Sequence, residues 1–442
     1  MSKSTRYALV GTGGRAPMYI DPLATRFRDA GELVALCDPN PARLEYHNAR
    51  LANELGYHRV PAYHSDDFDR MVRETRADCV IVTTVDALHH KYIIRAMELG
   101  CDVVTEKPMT IDAEKCRAIL DATSRTGRKL RVAFNYRWTP SAALVRQVLS
   151  EGAIGDLIHV DMEYLLNTSH GADYFRRWHR EKENSGGLLV HKATHHFDMV
   201  NWWIDAVPET VFAMGRLAFY GRRNAELRGE AVRYDRYTGH DAGGDPFALD
   251  LAGDKLMRGL YLEAERHDGY MRDRNVFGDN ITIEDTMSVL VRYRTGVVLN
   301  YSLNAYLPRE GFGIVFNGTK GRIEYREEHG SHVVAVRGEP APQDEVRWET
   351  GLVVHPMFGR AYRVPVPRAQ GGHMGGDSLL QAQVFARDAP RDPLGRDAGP
   401  GQGAASVLVG IAANRSMETG AAVNVRELCP ELGDARRLSE LN

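Results

Sequence analysis

The chain has 442 residues, of which 43% are hydrophobic and 26% charged, with a formal net charge of −3. That length suits two domains of ordinary size, each with a core of its own, and the near-balanced charge shows no nucleic-acid footprint in the total. No stretch approaches the ~20 consecutive apolar residues of a membrane helix.

The start runs straight into the strand-like Tyr7–Val10, leaving no room for a signal peptide. The five cysteines, at 37, 79, 101, 116 and 429, have neither CxxC nor metal-ligand spacing. They read as reduced thiols of a cytoplasmic protein.

The first third alternates short apolar runs with helical patterns. Strands are expected at Tyr7–Val10, Leu33–Cys37, Cys79–Thr83, Asp102–Thr105 and Lys129–Asn135. Helices are expected at Arg43–Leu55, Asp67–Thr75, His89–Leu99 and Asp112–Thr126. Near-continuous apolar strands separated by helices predict a doubly wound parallel sheet, an α/β domain over residues 1–135.

From 136 to 442 the pattern is that of a second, α+β domain on a mostly antiparallel open sheet. Helices are expected at Ser141–Glu151, Gly187–Trp203 and Ala404–Glu418, and strands at Ile158–Leu165, Thr286–Tyr293, Gly296–Tyr301, Gly313–Asn317 and Gly321–Glu324. Residues 221–280 are polar and weakly periodic, an irregular insertion of the kind that serves function or stays flexible. Residues 386–403, rich in Pro, Gly, Asp and Arg, read as a surface loop.

Gly11-Thr-Gly-Gly-Arg-Ala16 follows the first strand and fits G-x-G-x-x-[G/A]. Such a loop lets the backbone approach a pyrophosphate and offers helix N-terminal amides to it, so Gly11, Gly13, Gly14, Arg15 and Ala16 are candidate cofactor contacts. Asp38 ends the second strand, where a carboxylate meets ribose hydroxyls and repels the 2′-phosphate of NADP. Pro39 and Asn40 follow it rather than a basic pair, which favours NAD. The competing reading of Asp38 is a cap for the helix that starts at Pro41.

Three more segments carry a specific resemblance: Thr83-Thr-Val-Asp-Ala-Leu-His89, Glu106-Lys-Pro108, and Gly186-Gly-Leu-Leu-Val-His-Lys-Ala-Thr-His195-His-Phe-Asp198. In this order the set resembles the Gfo/Idh/MocA family of glucose–fructose oxidoreductases, inositol dehydrogenases and relatives. The resemblance covers most of the chain outside 221–280. It implies a Rossmann domain followed by an α/β domain whose open sheet mediates homodimer or homotetramer formation.

It also implies roles. Thr83, Thr84 and His89 would line the nicotinamide side and Glu106 would touch the cofactor. Lys107 would be the catalytic lysine, and Asn135 and Arg137 would lie where cofactor and substrate meet. His195 matches the family's catalytic histidine. A departure is His191, four residues before it, where relatives often carry Asp; Lys192 follows where they carry an apolar residue. A family loop containing His373 would close on the substrate.

The chemistry suits a secondary alcohol. A histidine titrates near neutrality and can take the hydroxyl proton, and a lysine can steady the developing alkoxide. On a continuous helix His191, His195, Asp198 and Trp202 would share one stripe, with Lys192 and His196 beside it. A zinc site on that stripe is disfavoured by Lys192, and no metal is expected.

The run Arg176–Lys182 is either a solvated face or a basic pocket wall. With Arg137, Arg177 and Lys192 it could take an anionic sugar such as a uronate. Tyr174 and Trp178 could stack on a sugar face or belong to the core.

Three functions follow in order. The first is an NAD-dependent oxidoreductase on a sugar, sugar derivative or cyclitol. The second is an NAD-requiring glycosidase acting by transient C3 oxidation, for which His191, Tyr234 or Tyr237 could supply a second base. The third is a nucleotide-binding sensor without chemistry. The partners expected are a small carbohydrate substrate and further copies of the chain in a homodimer or homotetramer, with neither nucleic acid nor membrane.

Overall fold

The computed structural model describes residues 4–331, 349–367 and 372–441. The first sheet has six strands: β1 Thr5–Val10, β2 Gly31–Cys37, β3 Ala62–Tyr63, β4 Cys79–Val82, β5 Asp102–Thr105 and β6 Leu130–Val132. They are ordered β3-β2-β1-β4-β5-β6 and pair in parallel throughout. The order reverses beside β1, so the carboxyl ends of β1 and β4 open onto a crevice, the place where such sheets take ligands.

The helices begin where short polar side chains can satisfy their first amides. Asn40 caps Pro41–Asn53, Asp112 caps Ala113–Thr126 and Thr139 caps Pro140–Ser150. Asn40, rather than Asp38, is therefore the cap of the second helix.

The second sheet has nine strands: β7 Leu157–Asn167, β8 Pro208–Arg216, β9 Thr286–Tyr293, β10 Val298–Leu307, β11 Arg309–Gly318, β12 Gly321–Ser331, β13 Gly351–Pro356, β14 Tyr362–Val364 and β15 Val423–Asn424. Their order is β14-β13-β12-β11-β7-β10-β9-β8-β15. Pairing is antiparallel except between β7 and β10, where Leu299 faces Val160 and Leu303 faces Tyr164 in a parallel register. In β9 the odd-numbered Met287, Val289, Val291 and Tyr293 are buried, while Leu290 on the other face is exposed. One face thus packs on helices and the other is left uncovered, which an antiparallel sheet tolerates.

Two expectations need correction here. The helix expected over Gly187–Trp203 is two helices, Leu188–His191 and Ala193–Ile204, joined at Lys192. The last helix starts at Pro400, inside the expected loop, and runs to Thr419. Pro fits the first helical turn, where no amide partner is lost. Gln402 to Ala413 are buried on every side, so this helix carries no amphipathic signal and its start was hidden.

Candidate active site

The two sheets meet around one cavity of about 470 Å³, lined at one end by the glycine loop and at the other by helices of the second half. Gly11 has φ of +92° and faces the Thr83–Thr84 backbone that follows β4: a side chain there would meet the Thr83 carbonyl oxygen at 2.7 Å. Only glycine allows that contact, and the Thr83 hydroxyl seals it by donating to the Gly11 carbonyl at 2.5 Å. Asp38 holds the loop from below, accepting from the Thr12 amide at 2.7 Å and the Asn40 amide at 2.8 Å. Gly11, Gly13, Gly14, Arg15 and Asp38 all line the cavity. Ala16 is buried behind the loop and does not.

At the centre, Glu106 is clamped by the Arg15 Nε at 2.6 Å and the Tyr19 hydroxyl at 2.8 Å. Arg15 and Asn135 both reach Asp377, at 3.4 and 2.8 Å, tying the helix Gly376–Phe385 to the nucleotide end. His89 is pinned between two loops, its ring nitrogens 2.8 Å from the Pro108 carbonyl and 3.1 Å from that of Thr84.

Lys107 follows at the middle of the cavity and donates to the His191 carbonyl at 3.3 Å. Burial pulls its ammonium down to about 8, against the pull of Asp86 and Glu106, with Lys192 and Arg15 adding to the fall. His191 is not on the helix that carries His195. The break at Lys192 turns it onto Asp86, with Nδ1 at 2.5 Å from Oδ2. Burial, Lys107 and Arg177 hold His191 neutral, and burial raises Asp86 against the same two cations.

His195 stacks on Tyr136 with centroids 4.3 Å apart, and both rings line the cavity. Lys192 donates to the Tyr136 hydroxyl at 3.2 Å and sits over Tyr164 at 5.0 Å. Burial would raise the Tyr136 phenol, but the Lys192 and His329 cations outweigh it and bring it below its ordinary value. Lys192 stays charged because Tyr136, Tyr174 and Glu310 outweigh its own burial.

At the far wall His170 joins Glu310 at 2.7 Å to the Tyr174 hydroxyl at 2.9 Å. Trp178 stacks on His179, and His179 meets His191 edge-on. Asp173 is shared by Arg272 at 2.8 Å, Arg177 at 3.2 Å and Arg176 at 3.8 Å. These cations outweigh burial and hold its carboxyl well below the usual range.

Of the residues read from the sequence, Lys107, His191, His195, Lys192, Tyr174, Arg177, Trp178, Thr83, Thr84, His89, Glu106 and Asn135 meet at this cavity. Arg137 does not. It is fully buried, forked onto Asp198 at 2.7 Å through Nε and Nη2 and onto Gln402 at 2.6 Å through Nη1. It locks the helix Ala193–Ile204 to the last helix rather than facing a ligand. Asp198 also accepts from Ser406 and Trp202 donates to the Leu394 carbonyl, so the Asp198–Trp202 end of the expected stripe is spent on packing while His191 and His195 line the cavity.

Tyr234 is turned to Asp245 and Tyr237 is buried near Arg176, both away from the cavity. The side chain of His373 lies outside the described residues. Among the described residues no three His, Cys, Asp or Glu groups gather for a metal, and no helix is long and apolar enough to cross a membrane. The five cysteines are free and buried.

Sequence reasoning missed Asp86, Tyr136, His170, His179, Tyr261 and Tyr270, all in the cavity wall. Asp86 and Tyr136 sit inside segments already singled out and could have been found there. Tyr261 and Tyr270 come from the insertion and gave no signal.

A parallel six-stranded sheet, a glycine loop that a Cβ would obstruct and the carboxylate of Asp38 at the end of β2 fit a dinucleotide. The comparisons agree. Residues 5–134 match the family model described as oxidoreductase family, NAD-binding Rossmann fold, and residues 146–425 match that of its C-terminal alpha/beta domain. The chain belongs to the Gfo/Idh/MocA family.

A Bacillus subtilis protein named as an oxidoreductase, YteT, is 34% identical over 437 residues, covering 95% of this chain and 97% of that protein. An inositol 2-dehydrogenase of Rubrobacter xylanophilus is 26% identical over 220 residues, 48% of this chain and 56% of that one. The chain spans only about half the length of such shorter-matching curated relatives. The crystal structure of WlbA dehydrogenase from Bordetella pertussis with NADH and UDP-GlcNAcA shares the fold. Its TM-score is 0.63 at 19% identity, covering 96% of this chain and 99% of that one.

Proposed function

We propose that the protein oxidises a secondary hydroxyl of a sugar, sugar derivative or cyclitol, and that the preferred substrate carries an acidic group. The observation that carries the reading is that Lys107 and His195 line the same cavity as the glycine loop. Bound NAD supplies the hydride acceptor. His195 takes the hydroxyl proton, and Tyr136 stacked on it keeps its ring in one orientation. Lys107 donates to the oxygen on which negative charge develops, an interaction that strengthens as the hydroxyl becomes an alkoxide. The dehydrogenases of inositol among the relatives support a polyhydroxylated ring as substrate.

The acidic group is argued from charge. One carboxylate, Asp173, faces three guanidiniums, and of these Arg177 lines the cavity. Lys192 adds a second fixed cation on that side. A carboxylate or sulfonate on the substrate completes the balance, and a guanidinium can grip it with two hydrogen bonds. Replacing Arg177 by alanine is expected to raise KM for a uronate about ten- to a hundredfold and leave KM for the matching neutral sugar within about twofold. Equal changes for both sugars would remove the acidic group from the proposal.

A second reading, an NAD-requiring glycoside hydrolase, is favoured by one feature. A dehydrogenase needs one proton acceptor, while this cavity holds two further groups able to exchange protons, the Lys192-paired Tyr136 and the Asp86-paired His191. Transient oxidation at C3 makes the C2 hydrogen acidic. A base removes it, the C1 substituent leaves, and water adds before re-reduction. The experiment is a panel of neutral and acidic free sugars, cyclitols and aryl glycosides, with NADH absorbance and aglycone release followed together. NADH accumulating with a free sugar or cyclitol supports the first reading. NAD-dependent aglycone release without net NADH replaces it with the second.

Self-association into a homodimer or homotetramer belongs to the same proposal. It is supported by the uncovered face of the nine-stranded sheet, where Met214 and Leu290 stand exposed. Light scattering on the purified protein is expected to give a dimer or tetramer mass, and a monomer at micromolar concentration would contradict it.

A further inference from the structure

The chain between β8 and β9 does more than fill space. Its turns at Lys255–Met257, Arg258–Leu262 and Glu265–Asp268 lie against the nucleotide-binding half. Three contacts bolt them there. Arg43 donates through Nε to the Leu260 carbonyl at 3.0 Å and pairs with Asp268 at 2.8 Å, and Asn40 donates to the Ala264 carbonyl at 3.0 Å. Arg43 and Asn40 belong to the turn and helix after β2, next to Asp38, so the insertion is fixed to the ribose end of the site.

Between these anchors stands Tyr261. Its ring is buried and its hydroxyl accepts from the Gly14 amide at 2.9 Å. A Cβ on Gly14, the fourth residue of the loop, would sit 2.9 Å from that oxygen, so the phenol packs directly against the space a side chain there would need. In a bare glycine loop such an amide would face the pyrophosphate directly. Here the phenol extends it. Having accepted the amide hydrogen, the hydroxyl keeps its own hydrogen to donate onward, and Tyr261, Asp268 and Tyr270 all front the cavity that the loop lines.

We propose that Tyr261 is a pyrophosphate-binding residue supplied by the insertion, which closes the dinucleotide site so that NAD is retained from one turnover to the next. An amide-to-phenol-to-phosphate chain ends on a charged acceptor, the stronger class of hydrogen bond. With the anchors beside Asp38 intact, the dinucleotide leaves only when the insertion lifts from the helix Pro41–Asn53. The inference concerns the cofactor end alone and stands whichever hydroxyl is oxidised.

The test is cofactor exchange, read without turnover. The purified full chain is loaded with NAD, desalted and assayed for NAD per chain. It is then loaded with NADH, and dissociation is followed by fluorescence on chasing with excess NAD. The wild type is expected to keep close to one NAD per chain through desalting. In Tyr261→Phe, which keeps the ring and loses the donor, dissociation is expected to quicken about ten- to a hundredfold. Asp268→Asn, which loosens the Arg43 anchor and leaves Tyr261 in place, is expected to give a smaller increase in the same direction.

Loss of NAD from the wild type on desalting would overturn retention. Dissociation from Tyr261→Phe at the wild-type rate would overturn the pyrophosphate contact, and slower dissociation would show the phenol to be a competitor of the phosphate. Failure of NAD and NADH to bind at all would instead overturn the cofactor reading itself, so the two failures are distinguishable.

Discussion

Lys107→Ala is expected to lower kcat by about three orders of magnitude, the range of losing both a transition-state charge and a positioned proton donor. Lys107 lines the same cavity as the glycine loop, and its ammonium donates to the His191 carbonyl. NAD binding should survive, because Glu106 keeps Arg15 and Tyr19 and the glycine loop keeps Asp38. Fluorescence titration with NADH beside steady-state kinetics separates the two effects. A kcat within tenfold of the wild type would remove Lys107 from the chemistry.

The same residue sets a pH dependence. Lys107 serves as a cation, and its burial-lowered pKa is about 8. The charged form is therefore full below that value and is lost as pH rises through it, so kcat/KM should fall on the alkaline side with a midpoint near 8. Lys107→Arg, which stays charged, should abolish that limb even where its rate is low. A limb unchanged in Lys107→Arg would assign it to another group.

Arg137→Met is expected to destabilise the fold by about 3–5 kcal/mol, the cost of leaving a buried carboxylate without its partner. Asp198 is at the centre of the helix Ala193–Ile204, burial already raises its pKa, and Ser406 also donates to it. Removing the guanidinium also breaks the tie from Arg137 to Gln402 on the last helix. Pairing the change with Asp198→Leu should recover much of the loss, because two apolar groups replace a forked ion pair. Thermal melting of the single and double variants measures both. Wild-type stability in Arg137→Met together with a raised KM would return Arg137 to the substrate site.

Arg137 shows what the sequence could and could not convey. The alternation of apolar runs and helices made the parallel sheet and its glycine loop legible, since each strand's burial on both faces is written in its own residues. The segments containing Thr83, Glu106, Lys107 and His195 were legible for the same reason, being local motifs at strand ends and at one helix start. Whether Arg137 faced the cavity depended on Asp198 and Gln402, which lie 61 and 265 positions away. No local pattern encodes that pairing.

The break at Lys192 was hidden because a helical stripe of His191, His195 and Asp198 is equally consistent with one helix. The partner that turns His191 out of line, Asp86, lies 105 positions earlier. Tyr261 was hidden most deeply, since its partner Gly14 is 247 positions distant and its surroundings have little periodicity. Asp86 and Tyr136 were different: each stood inside a segment already under consideration, and only their side-chain directions were missing.

The measurement closest to the centre of the proposal is deuterium transfer in a single turnover. The best substrate from the panel is prepared with deuterium on its ring carbons and mixed with enzyme carrying NAD, and the nicotinamide is recovered after quenching and weighed by mass spectrometry. A single deuterium on the nicotinamide is the expected result, lost from the signal in Lys107→Ala. Product formed with no deuterium in the nicotinamide at any quench time would contradict hydride transfer from a substrate carbon.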